Sequence, residues 1–159
     1  MTGGLASLLF VALALALLFA AWGDWRRRDI PNLLTAGIAL AAPLYWWAAG
    51  IVLWPDAAII AGLALALFAL FAIAFAMGGM GGGDVKLIAA LALWLTPLQL
   101  PAMLIVMAVA GGVITLAMLV WHRRNNQPGR IEVPYGIAIS LGGLWVIANQ
   151  ILTNLAERP

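Results

Sequence analysis

The chain has 159 residues, of which 65% are hydrophobic and only 9% are charged, and its formal net charge is +2. A soluble globular protein has about a quarter charged residues, so this chain lacks the polar side chains that would cover a surface in water. The composition therefore predicts a protein embedded in a lipid bilayer. The absence of cysteine excludes disulfides, thiolate metal sites and thiol catalysis, and the single histidine, His122, cannot form a histidine-rich metal site alone.

Long apolar stretches predict an all-α bundle of about six transmembrane helices. A spanning helix needs about 20 apolar residues, and the longest charge-free stretch is divided at Pro97 and Pro101. The predicted segments are 4–23, 33–54, 57–79, 85–96, 97–121 and 133–154. The fourth covers only about 18 Å, so it is either a short helix or a half-helix. No hydrophilic domain or long linker interrupts the pattern, so residues 1–159 are expected to form a single membrane-embedded domain.

The basic residues predict how the bundle lies in the membrane. If the connections alternate between its two sides, those after the first, third and fifth segments hold seven of the eight basic residues. Basic loops favour the cytoplasm, which places the N-terminus outside. The first segment does not resemble a secretory signal, because its positive charges, Arg26 to Arg28, follow the apolar stretch instead of preceding it. Anionic lipid headgroups explain these charges, and no nucleic-acid partner is expected.

Three of the six carboxylates could carry chemistry, namely Asp24, Asp29 and Asp84. The others are assigned to an outside turn, a helix entrance and the tail: Asp56, Glu132 and Glu157. Asp84 follows a run with five glycines in six positions, 78–83, whose flexible backbone lets a carboxylate point into a cavity. Taken alone, Asp84 is equally well explained as a helix N-cap, and Asp24 as an ion-pair partner of a neighbouring arginine.

Asp24 and Asp84 are more informative as a pair than singly. The predicted topology places both on the cytoplasmic side at similar depth. Two carboxylates in one site cannot both ionise cheaply, so one keeps its proton near neutrality. One can then activate water while the other polarises a carbonyl, which hydrolyses a peptide without a metal or another cofactor. Because Asp84 is expected at the positive end of a helix dipole, which lowers its pKa, the shared proton is expected more often on Asp24.

Three motifs in chain order carry a resemblance to a known family. They are Asp24 seven residues before Pro31 of Ile30-Pro31-Asn32, Gly81-Gly82-Gly83-Asp84-Val85-Lys86, and Pro134-Tyr135-Gly136-Ile137-Ala138-Ile139. Together they resemble the type IV prepilin peptidases, which are membrane aspartic peptidases, and especially their short tight-adherence (Flp pilus) branch. The resemblance covers about residues 10–145. Gly-x-Gly-Asp alone is a weak pattern, whereas three ordered motifs on the expected sides are specific.

The resemblance implies that Asp24 and Asp84 are catalytic. The supporting residues expected around them are Gly81, Gly83, Lys86, Pro31 and Asn32. It further implies removal of short basic leader peptides from prepilins or pseudopilins at the cytoplasmic face of the inner membrane. Longer relatives carry a cytoplasmic insertion, usually with paired cysteines for zinc, and a methyltransferase activity. This sequence has neither cysteine nor that insertion, so methylation of the product is not expected.

Several alternatives stay open at this point. Asp29 competes with Asp24 as the first catalytic residue, although a local turn or a basic partner explains it better. Lys86 could orient Asp84, contact the substrate backbone or extend to the interface. A related preflagellin or signal-peptide peptidase, a small proton-coupled transporter and a non-catalytic membrane subunit are the rival functions. A transporter would place its carboxylates near the bilayer midplane, whereas Asp24 and Asp84 are predicted at segment ends.

Overall fold

The computed structural model describes residues 2–125 and 133–156, with side chains described for 4–125 and 133–153. The helices are α1 (Thr2–Arg27), α2 (Asn32–Ala49), α3 (Ala58–Ala76), α4 (Gly82–Ala92), α5 (Gln99–Arg124) and α6 (Tyr135–Ala156). A single wide turn of helix, Leu53–Ala57, leads into α3. No strand occurs in these ranges, so the predicted all-α class is confirmed.

Each predicted segment corresponds to one helix, and the largest differences lie at the helix ends. α2 stops at Ala49 because Gly50 adopts a left-handed φ of 73°, and the N–H of Ile51 turns back to the carbonyl of Trp46 at 2.9 Å. α4 begins at Gly82, three residues before the predicted start. The glycine run is therefore divided, since its first part forms the turn after α3 and its last two residues open α4.

Four helical stretches are long and apolar enough to cross a bilayer. They are Gly4–Arg27, Leu53–Ala76, Gln99–Arg124 and Tyr135–Thr153. The chain is therefore a polytopic membrane protein built as a helical bundle. α2 and α4 are not among the four, and the 11 residues of α4 cover only about 16 Å. Six complete crossings and an outside N-terminus stay predictions.

The short helix α4 lies inside the bundle. It packs against α2, α3 and α6, while α1 packs against α2 and α6, and α5 packs against α6. Seven of its 11 residues are buried, and Leu87, Ile88 and Leu91 are among the most completely enclosed side chains. A helix that is apolar on most of its circumference is stable only when other helices surround it. α4 is thus held by its neighbours and not by lipid.

Two indole hydrogen bonds fasten α2 to the C-terminal end of α4. The Nε1–H of Trp94 donates to the carbonyl of Ile38 at 2.9 Å, and the Nε1–H of Trp46 donates to the carbonyl of Leu93 at 2.7 Å. The Trp94 ring also stacks on Tyr45, with ring centroids 5.1 Å apart. These contacts fix one end of α4, and the opposite end carries Asp84.

Candidate active site

Asp24 lies in the last turn of α1, where the helix meets the start of α6. Its side chain is only 6% exposed. The backbone N–H groups of Gly136 and Ile137 face its carboxylate, while Oδ2 has no hydrogen-bond partner in the described part of the chain. A Cβ added at Gly136 would lie 2.9 Å from Oδ2. The approach of the carboxylate to α6 therefore requires glycine at this position.

Asp84 is the third residue of α4 and is 8% exposed. Its carboxylate interacts with the backbone N–H of Gly81, the residue that caps the helix. A carboxylate that reaches back in this way forms one half of a capping box, so the interpretation of Asp84 as a helix-start residue is partly right. Capping alone does not explain why the Asp84 side chain is buried, however. A Cβ added at Gly81 would lie 2.9 Å from Oδ2 of Asp84, so this carboxylate is also closely confined by a glycine.

The two aspartates are the only buried carboxylates among the side chains described. Asp84 lies outside the four candidate spans, and burial raises its pKa to about 7 with a further contribution from the negative charge of Asp24. These two effects outweigh the Gly81 N–H, which favours the charged form. The helix start does lower the pKa of Asp84 through the Gly81 N–H, as expected, but desolvation outweighs this contribution and the net pKa is raised. That the shared proton lies more often on Asp24 stays a prediction.

The competing carboxylate, Asp29, is exposed. Its backbone carbonyl oxygen lies close to Gly23, 3.3 Å from the position that a Cβ would take on that glycine. Within the residues described, no arginine lies at ion-pair distance from Asp24, although Arg28 exerts a weaker attraction on it. The simple ion-pair interpretation of Asp24 therefore lacks a partner here. Both buried aspartates also lie at helix ends, as predicted, and not in the middle of a span. Glu132 and Glu157 lie outside the described residues.

Lys86 and Asn32, two of the expected supporting residues, contact each other. The Nζ of Lys86 donates to Oδ1 of Asn32 at 2.8 Å, which joins α4 to α2 on an exposed surface. Lys86 is thus engaged with α2 in this structure and not with Asp84. Pro31 precedes the first residue of α2 with a φ of −59°, as suits a helix entrance. A groove of about 550 Å³ between α2, α3 and α4 opens beside the Lys86–Asn32 pair.

Sequence reasoning missed the role of Ile30, whose buried side chain lies between Gly83 and Gly136. One signal was present for Ile30, since it is a single large apolar residue directly after four consecutive charged residues, Arg26 to Asp29.

Comparison with known proteins decides the family. A model of the type IV leader peptidase family matches residues 11–116, about two thirds of the chain. The chain belongs to the type IV leader peptidase family. The matched region of the chain contains both buried aspartates and ends before the Pro134–Ile139 segment.

Two curated relatives are similar to this chain. They are the prepilin leader peptidase/N-methyltransferases of Burkholderia pseudomallei strains 1026b and K96243, each 33% identical over 148 residues, which covers 87% of this chain and 45% of the relative. The chain thus spans less than half the length of these relatives. No solved structure gives a significant match.

Proposed function

We propose that this leader peptidase is an aspartic endopeptidase that removes the short basic leader from prepilins or pseudopilins at the cytoplasmic face of the inner membrane. One observation supports the catalytic type above all others. Two carboxylates from different helices are buried together, and the charge of Asp24 acts on Asp84. Burial of two unpaired acids destabilises a fold, so such a pair indicates a site that needs them for chemistry.

The electrostatic coupling of the two carboxylates supports a division of roles between them. Burial and the negative charge of Asp24 raise the pKa of Asp84 to about 7, so we assign the shared proton to Asp84 and the proton-accepting role to Asp24. The Asp24 carboxylate accepts a proton from a water molecule, whose oxygen attacks the carbonyl carbon of the scissile bond. Asp84 gives its proton to the carbonyl oxygen, and a tetrahedral diol forms. When the diol collapses, one hydroxyl proton returns to Asp84, the proton on Asp24 passes to the leaving nitrogen, and the C–N bond breaks.

Access from the cytoplasmic side is consistent with the helix ends that carry the pair. The site lies where α1 ends and where α4 and α6 begin, beside the basic residues that follow α1. The groove between α2, α3 and α4 provides open space next to the Lys86–Asn32 pair, close to the start of α4. Neither aspartate lines this groove, so we propose that a substrate peptide approaches the pair from this end of the bundle and not through the groove itself.

Leader removal from a co-expressed prepilin tests the proposal directly. Asp24→Asn and Asp84→Asn are each expected to leave the precursor uncut on a gel, because asparagine can neither accept nor release the proton. Asp29→Asn is the matched control, since it makes the same chemical change in the same connection on an exposed side chain, and it is expected to cleave like the wild type.

Equal amounts of each variant in the membrane are the condition for comparing them. Full cleavage by both Asp24→Asn and Asp84→Asn would refute the aspartic mechanism. Loss of cleavage in Asp29→Asn alone would transfer the first catalytic role to that residue. A wild-type chain that leaves several prepilins uncut would refute the proposed activity itself.

A further inference from the structure

The connection between α1 and α2 buries one side chain between the two aspartate-bearing regions. Ile30 is 4% exposed, whereas its neighbours Asp29 and Pro31 are exposed. The connection itself is held tightly, since the N–H of Arg28 donates to the carbonyl of Asp24 at 3.0 Å and Arg28 has a left-handed φ of 55°. A backbone turned in this way directs the next apolar side chain into the bundle.

Glycines form the walls around Ile30. A Cβ added at Gly83 would lie 3.2 Å from the Cβ of Ile30, and a Cβ added at Gly136 would lie 2.7 Å from its Cδ1. The isoleucine therefore contacts the backbone of α4 with the base of its side chain and the backbone of α6 with its tip. A larger residue at Gly136 would therefore force the tip of Ile30 to move.

Each of these glycines lies next to one aspartate of the pair. Gly83 immediately precedes Asp84, and Gly136 faces the Asp24 carboxylate so closely that an added Cβ would lie only 2.9 Å from Oδ2. The length of Ile30 thus sets how far the start of α4 lies from the start of α6. Because Asp24 approaches α6 and Asp84 belongs to α4, the same length sets the spacing of the carboxylates.

We propose that Ile30 is the positioning residue of the aspartate pair, where it fixes the spacing of the two carboxylates and keeps water out from behind them. The proposal rests on the proposed aspartic mechanism. Ile30 does not touch the reacting atoms. Its effect on catalysis comes through Gly83 and Gly136, and misplacement of a catalytic group by about 1 Å costs on the order of 100-fold in rate.

The test shortens Ile30 stepwise and compares it with a matched isoleucine. Ile30→Val removes Cδ1 alone, and Ile30→Ala removes everything beyond Cβ. Ile38→Val and Ile38→Ala make the same changes at a residue that is 5% exposed and belongs to the same apolar core. We expect Ile30→Val to lower kcat for prepilin cleavage by on the order of 10-fold with KM nearly unchanged, and Ile38→Val to change neither appreciably.

The pH dependence gives a readout that packing alone does not change. Burial is the largest cause of the raised pKa of Asp84, the charge of Asp24 is the second, and the Gly81 N–H opposes both. Water admitted by Ile30→Ala reduces the burial, so the alkaline limb of the cleavage profile is expected to move to lower pH. Ile38→Ala is expected to lower the free energy of unfolding and to leave the alkaline limb of the cleavage profile at the same pH.

A third measurement does not depend on cleavage. Infrared spectroscopy detects the C=O stretch of a protonated carboxyl group, and Asp84→Asn assigns the band by removing it. We expect Ile30→Ala to shift or weaken this band and Ile38→Ala to leave it unchanged. The proposal is wrong if the Ile30 variants lose cleavage activity only in proportion to the amount of folded protein. In that case the alkaline limb of their pH profile and the carboxyl C=O band stay at the wild-type position, and Ile30 only packs the core. An inactive wild type would refute the peptidase assignment, while the band would still decide the role of Ile30.

Discussion

The carboxyl group of Asp84 makes the stability of the folded chain depend on pH. Its pKa is about 7 in the fold and 3.8 ordinarily, so the folded state binds this proton more tightly than the unfolded state. The resulting stability is fully present below the ordinary pKa and is lost as pH rises through the folded pKa. The size of the effect is at most about 4 kcal/mol, at roughly 1.4 kcal/mol for each pKa unit.

Asp84→Asn imitates the protonated acid and removes this dependence. We expect the variant to unfold at a higher temperature than the wild type in detergent above neutral pH, and the difference to shrink as the pH falls below the folded pKa. Thermal unfolding across a pH series measures both effects. Asp29→Asn, on an exposed carboxylate, is the control and is expected to follow the wild type. A constant difference at all pH values would contradict the raised pKa.

Adjacent glycines allow a sharp test of the space around Asp84. A Cβ at Gly81 would lie 2.9 Å from Oδ2 of Asp84, whereas a Cβ at Gly82 meets only the edge of the Phe75 ring at 3.4 Å. Gly81→Ala is therefore expected to displace the carboxylate and to lower prepilin cleavage by on the order of 10-fold or more. Gly82→Ala is expected to keep activity, and equal activity of the two variants would contradict the crowding.

The aspartate pair could be predicted from the sequence, but the residues around it could not. Charge is so scarce in the chain that few carboxylates compete, and the alternation of loops brings Asp24 and Asp84 to one side. Ile30 and Gly136 meet only because α1 and α6 pack together, which no local pattern reveals. The net rise in the pKa of Asp84 could not be predicted for a related reason, since its burial depends on helices distant in the sequence.

Among the elements, α4 depends most on its neighbours, and its C-terminal end is held by indole hydrogen bonds. Trp94→Phe keeps most of the ring volume and removes the donor to Ile38. We expect it to lower the free energy of unfolding by about 1–2 kcal/mol, measured by thermal or denaturant unfolding in detergent. Trp47→Phe is the matched control, since Trp47 is 69% exposed, and an equal loss in both variants would refute the tethering role.

The apolar pattern predicted all the helices, but it could not show how each one is surrounded. Every charge-free segment is helical, because a backbone in lipid must satisfy its own hydrogen bonds. The difference between α4, which is enclosed, and α3, of which only Ile60 and Ala64 are buried, lies in packing. Both segments are strongly apolar, so hydropathy alone does not separate a protein-facing helix from a lipid-facing one.

For the whole molecule, the orientation in the membrane can be measured because the chain has no cysteine. Single cysteines at Arg28 and at Asn125 are expected to be protected from an impermeant maleimide added outside intact cells. A cysteine at Leu98, which is 91% exposed between α4 and α5, is expected to be labelled. Labelling after permeabilisation is the control for reactivity. Protection of the Leu98 position would show that the region of α4 does not reach the outer face.

The surroundings of Asp24 also have a consequence for the order of synthesis. The backbone groups that face its carboxylate, at Gly136 and Ile137, belong to α6, which the ribosome makes after every other described helix. A nascent chain that already holds both aspartates in the membrane therefore has an unfinished site until this last helix leaves the exit tunnel. We expect the proposed hydrolysis to begin only after α6 has joined the bundle, because Asp24 lacks these backbone groups until then.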